Sequence, residues 1–218
     1  MPQTETVVLV HGLWLHGVAM LLMKRRIARC GYRVNTYSYP TVRLDLDENA
    51  ERLAQYCARL PAATIHFVAH SMGGLVAMGA AQMLPRSRVG RLVLLGTPYQ
   101  DSHSARQVQR LPGGGRIIGR CMGQWLRAPR AGAGSLDIGV VAGTGRIGLG
   151  RLVAQRLPQP NDGVVSVEET RVPGMRDHVV LPISHTLMLA SRAVVHQVCA
   201  FLAEGTFDRA AIAPPSLH

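Results

Sequence analysis

"FVAHSMGGLVAM", residues 67–78, is the stretch on which the reading of this chain turns. An apolar run of strand character ends at His70, Ser71 follows, and Gly73-Gly74 lead into residues spaced like the inner face of a helix. A serine on a buried strand-to-helix turn is a poor packing choice, because its hydroxyl must find a partner or cost free energy. The residues two before and two after it, Ala69 and Gly73, are both small. A tight strand-turn-helix needs small residues there, since larger side chains would clash across the turn. The pattern A-x-S-x-G is one methyl group away from the G-x-S-x-G of a nucleophile elbow and meets the same steric demand. A helix beginning at Met72 also aims its positive N-terminal end at any negative charge formed above Ser71.

Outward from this turn, short apolar runs alternate with longer segments of helical period. Strands are predicted at residues 6–10, 33–37, 64–69, 91–95, 138–142 and 178–183, and helices at 18–30, 46–60, 72–84 and 186–203. Such alternation implies right-handed crossovers and a mostly parallel central sheet with helices on both faces. Residues 99–135 break the rhythm. They are rich in Gly and Arg, carry one expected short helix near 116–127, and read as an insertion or partial lid within a single domain spanning residues 1–204. The tail 205–218, with Pro214-Pro215, is expected to be mobile.

With 218 residues, 47% hydrophobic and 17% charged, the chain can bury the core of one globular domain. No apolar run reaches the roughly 18 residues that span a bilayer, and the chain opens on a strand without a basic leader, which predicts a cytoplasmic location. Cys30, Cys57, Cys121 and Cys199 lie far apart, with no CxxC pair and no histidine spacing that suggests zinc. They are expected to be reduced and mostly buried. The net charge of +11 is carried by arginine, with lysine only at Lys24. It reads either as composition alone or as a surface drawn to anionic lipid headgroups or acidic substrates, through arginines such as Arg106, Arg110, Arg116, Arg120, Arg127 and Arg130. Nucleic acid is not an expected partner, because no recognition motif is present and aromatics are only 5% of the residues.

Acyl transfer through a serine needs two backbone N–H donors for the oxyanion, one after the nucleophile and one in an early strand-to-helix loop. Met72, and Leu13 in "VLVHGLW" (residues 8–14), meet those descriptions. His11 is expected to hold that loop by hydrogen bonding, and His16 to be exposed or packed in it. The base falls to His185, in "PISHTLML" at the C-terminal end of the last strand, where a parallel sheet places its site. His178, at the start of that strand, and His66 are read as structural, and His70 as a support for the elbow. Between serine and histidine the acid candidates are Asp101, Asp137, Asp162, Asp177 and the pair Glu168-Glu169. Asp162, in an N-D-G turn, leads, with Asp101 next, and the glutamates are expected on a solvated surface.

The HG loop, the AHSMGG elbow, "GTPYQDS", NDGVVS and the final PISH together resemble α/β-hydrolase-fold bacterial lipases and esterases, over roughly residues 5–204. "AHSMG" is similar to the small lipases of Bacillus. This resemblance implies a Ser71-Asp162-His185 triad, an oxyanion hole of the Leu13 and Met72 N–H groups, acyl esters or lipids as substrates, and neither metal nor organic cofactor. A thioesterase or amidase would use the same groups, and a non-catalytic binding module could share the fold.

Overall fold

The computed structural model describes residues 5–129, 132–145 and 157–212. The expected strands form β1 (Glu5–Val10), β2 (Arg33–Tyr37), β3 (Thr64–His70), β4 (Val89–Leu95), β5 (Asp137–Gly143) and β6 (Asp177–Leu181). They pair in the order β2-β1-β3-β4-β5-β6, and each pairing is parallel. The chain runs from β1 outward to β2, then returns to the other side of β1 with β3. The order therefore reverses between β1 and β3, and a parallel sheet opens its crevice at the C-terminal ends of the strands on either side of such a reversal. The loop after β1 and the turn after β3 carry Leu13 and Ser71.

Each central strand is buried on both faces, which explains its unbroken apolar run. In β1, Val8 and Val10 join one core while Val7 and Leu9 join the other. The first core is closed by α2 (Leu46–Ala58), α3 (Gly73–Met83) and α5 (Gly114–Trp125), through residues such as Leu53, Leu75 and Cys121. The second is closed by α1 (Leu21–Ala28) and α6 (Arg192–Glu204), through Met23, Ile27, Val194 and Phe201. This is the α/β-hydrolase architecture, a parallel sheet between two helical layers.

Several local expectations are corrected. The predicted helices at 18–30 and 186–203 each open with a separate 3-10 turn, at Gly17–Met20 and Thr186–Ala190. In the second, Ser191 restarts the chain as an N-cap, its Oγ accepting from the Val194 N–H at 3.2 Å. Among the described residues of 99–135 there are two helices instead of one, since Ser102 caps an additional α4 (His103–Gln109). Helix α5 is broken at Gly119, at φ 73° and ψ 177°, where the backbone presses against Val42.

The cysteine expectation fails for one pair. Cys30 and Cys199 form a disulfide across 169 residues of chain. The end of α1 and the middle of α6 cover the same face of the sheet, and this packing brings the two thiols together. Such a bond persists in oxidising surroundings. Cys57 and Cys121 are free and buried, as expected, and burial pushes each thiol up to about 12. The tail is also packed over its described part. Phe207 is buried against Phe201, and the Phe207 N–H and Arg209 bind Asp177. Residues 213–218, with the proline pair, and Arg130 lie outside the described residues. Among the described residues no helix is long and apolar enough to cross a membrane.

Candidate active site

Ser71 follows β3 with φ at 54°, a left-handed backbone that a non-glycine residue adopts only under constraint from its surroundings. Its N–H donates to the Leu95 carbonyl at 2.8 Å, tying the turn to the end of β4. Two residues on, a Cβ at Gly73 would lie 2.3 Å from the His11 carbonyl oxygen and 2.7 Å from that of Val10. Only glycine allows this closeness, so the start of α3 and the loop after β1 lie against each other at the sheet's C-terminal edge.

That loop is held from within. The Tyr39 hydroxyl donates to the His11 carbonyl at 2.9 Å, and its ring stacks on the His11 ring with centroids 4.7 Å apart. His11 is fully buried, and burial lowers its pKa, consistent with the structural part expected of it. Trp14, beside Leu13, is left-handed at φ 59° and largely exposed, and its indole N–H donates to the Ile117 carbonyl on α5 at 2.9 Å. Neither Tyr39 nor Trp14 stands out in the sequence, because their partners are 28 and 103 residues away.

His185 and Asp162 meet at the same edge. His185 Nδ1 lies 2.7 Å from Asp162 Oδ2, and the His185 backbone N–H donates to the Asp162 carbonyl at 3.0 Å. The other carboxylate oxygen, Oδ1, accepts the N–H groups of Val164 and Val165 at 2.9 and 2.7 Å, an Asx turn built by the N-D-G sequence. Gly96, at φ 56° after β4, runs beneath the pair: a Cβ there would stand 3.0 Å from His185 Nδ1 and 3.1 Å from Asp162 Oδ2. His70 completes the cluster, with Nε2 3.0 Å from the His185 carbonyl oxygen.

The other acid candidates lie elsewhere or are engaged. Asp137 and Asp177 begin β5 and β6, at the opposite edge of a parallel sheet, and pair with Arg91, Arg176 and Arg209. Asp101 faces Arg106, whose Nε lies 2.7 Å away, and the Ser102 N–H is 2.8 Å off. Burial opposes the Asp101 charge, but these two donors hold its carboxyl below the ordinary range. Glu168 is exposed and pairs with Arg171, as expected of a surface residue. Glu169 is the correction: it is buried, accepts from the Ser166 N–H and Oγ and from the His103 N–H, and so braces the Asp162 loop against α4. Its burial was hidden because the partner segments fold around it only in three dimensions. His66 accepts the Arg91 N–H at 2.9 Å and His178 contacts Thr170, both away from this edge.

Burial lowers the pKa of His11, His66 and His178, and takes His70 down to about 3, with the neighbouring His185 adding to the effect. In the unfolded chain these groups take up protons near pH ~6.5. Between that pH and about 3 the unfolded state therefore binds more protons than the native one, and stability falls with acidification. The full contribution is present above ~6.5. We expect Tm to drop steadily from neutral pH into this window, and less steeply in His70→Gln. A flat Tm over that range would contradict neutral, buried histidines.

A strained serine after β3, a histidine after the last strand and an acid bound to it on one edge of a parallel sheet define an α/β-hydrolase by architecture. The Alpha/beta hydrolase family model matches residues 7–213, and the chain belongs to that family. Comparison with curated protein sequences gives no significant match. Among solved structures the chain is similar to the mature form of Bacillus licheniformis lipase BlEst2, at 20% identity, TM-score 0.74, and coverage of 95% of this chain and 94% of that one. It is similar also to the metagenomic carboxyl esterase MGS0156, at 19% identity, TM-score 0.65, and coverage of 85% and 65%. Phospholipase PlaB from Legionella pneumophila matches at 14% identity and TM-score 0.65, covering 92% of this chain and 58% of the other. At these identities the likeness concerns the fold.

Proposed function

We propose that this hydrolase cleaves carboxylic esters through an acyl-enzyme, with Ser71 as nucleophile, His185 as base and Asp162 as orienting acid. The observation that carries the reading is the 2.7 Å contact of His185 Nδ1 with Asp162 Oδ2 at the sheet edge where the strained Ser71 turn stands. Ser71 Oγ attacks the ester carbonyl as His185 Nε2 takes its proton. Asp162 keeps the Nδ1–H tautomer and stabilises the imidazolium. The Leu13 and Met72 N–H groups bind the oxyanion, the alcohol departs with the proton from His185, and water repeats the cycle on the acyl-enzyme. The chemistry draws on no metal or organic cofactor. The described part of residues 99–135 forms a partial cover, a reading supported by the Trp14 to Ile117 hydrogen bond that ties α5 to the Leu13 loop. Hydrolysis of nitrophenyl esters of graded chain length tests the reading. Activity on esters that exceeds that on matched thioesters and amides is expected, and the reverse would reassign the substrate class.

The arginine surface is the second element. Arg106 is paired with Asp101, and Arg120 lies within reach of Asp45 and Glu48, so the exposed Arg110, Arg116 and Arg127 are left to meet an anionic lipid surface. Binding to anionic vesicles should exceed binding to neutral ones and weaken as salt shortens the Debye length from roughly 10 Å at 0.1 M to about 3 Å at 1 M. Turnover of a soluble neutral ester should barely change. Equal binding to both vesicles at low salt would remove this role.

A further inference from the structure

Ser71 and His185 stand on different segments, and catalysis requires that they stay in register. Two contacts hold His185 to the acid loop: its Nδ1 to Asp162 Oδ2 and its N–H to the Asp162 carbonyl. Both fix base to acid, and neither fixes base to nucleophile. The third contact does. His70, the residue before Ser71, sets its Nε2 3.0 Å from the His185 carbonyl oxygen. A carbonyl accepts only, so the contact requires the proton on Nε2, and in the neutral ring that leaves Nδ1 bare. That bare Nδ1 is buried without a hydrogen-bond partner and points toward the close approach of Gly12, whose added Cβ would lie 3.1 Å from it and 2.9 Å from Ser71 Cβ. Leaving such an acceptor unpaired costs free energy, so the histidine is a costly residue for filling space. The His70 and His185 rings also lie with centroids 4.6 Å apart, at 49°.

We propose that His70 is a positioning residue, which sets the distance between base and nucleophile by donating its Nε2–H to the His185 carbonyl from the end of the strand that leads directly into Ser71. The inference rests on the triad reading above. It fits the charge balance of the site. His185, Asp162 and His11 are the titratable groups around His70, and burial, reinforced by His185, holds its pKa down at about 3. His70 therefore stays neutral when His185 becomes a cation, adding no repulsion, and keeps the tautomer that donates.

The test uses side chains that place a donor differently. The Gln Nε2 overlays the His Nε2 position, whereas the Asn Nδ2 overlays Nδ1 and cannot reach the carbonyl. With kcat expressed per serine titrated by a fluorophosphonate, His70→Asn and His70→Phe should lose about 10- to 100-fold with KM little changed, the scale of a misplacement near 1 Å. His70→Gln should restore most of that loss. Wild-type kcat in the Asn and Phe variants, or a Gln variant as impaired as the Asn one, would overturn the proposal. A measurement on the unaltered protein covers variants that fail to fold. The ¹⁵N shifts of His70 should report the Nε2–H tautomer unchanged from pH ~8 to ~5, and an Nδ1–H tautomer or a titration in that range would overturn it. If the fluorophosphonate does not label Ser71 in the wild type, the triad reading fails instead, and the tautomer still decides whether the His70 to His185 tie exists.

Discussion

Ser71→Ala is expected to leave a folded protein whose turnover is reduced by on the order of 10⁶-fold, the scale seen when a serine protease loses its nucleophile. The fold should survive because the alanine keeps the Cβ, and the turn is held by the backbone bond to Leu95 and by the closeness of Gly73 to the loop after β1. A fluorophosphonate should label the wild type at this residue and leave the variant unlabelled. Substantial ester hydrolysis by the pure variant would remove Ser71 as nucleophile and with it the acyl-enzyme.

Asp162→Asn should lower kcat by at least ~10²-fold with little effect on KM, and up to about 10⁴ as in a serine-protease triad given the same exchange. The amide can keep the Asx turn, since its Oδ1 still accepts from Val164 and Val165. Its Nδ2, however, would face His185 Nδ1 as a donor, and this reverses the imidazole tautomer so that Nε2 can no longer accept the serine proton. Asp101→Asn should cost far less, because Asp101 answers Arg106 and the Ser102 N–H at the start of α4. A crippled Asp101→Asn beside an active Asp162→Asn would move the acid to the loop after β4. Activity in both variants would turn attention to Glu168 and Glu169, although Glu169 is already bound by Ser166 and His103.

Much of the fold was legible locally. The apolar run of β1 and the alternation of such runs with helical periods depend on neighbours a few residues apart, and a parallel sheet buried on both faces leaves this signature in each strand. Ser71 was legible for the same reason, since the small residues at 69 and 73 and the helix that follows belong to one turn. The 3-10 openings at Gly17 and Thr186 were not, because they depend on how the following helix docks and on the Ser191 cap.

What the sequence by itself determined is the six strands and their parallel arrangement, the helices α2, α3 and α5 in outline, and the residue types at the elbow, the loop after β1 and the final histidine. The tertiary structure alone decided which carboxylate meets His185, because the distance from Asp162 to His185 follows from how two loops converge over Gly96 and not from their 23-residue separation. It alone joined Cys30 to Cys199, buried Glu169, and set Trp14 against α5. It alone turned His70 from a neighbour of the serine into a contact of the histidine 115 residues away. The physical reason is common to all of these. Backbone preferences and hydrophobic period act within a few residues, whereas hydrogen bonds, disulfides and burial are settled by which surfaces the packed sheet and helices bring together.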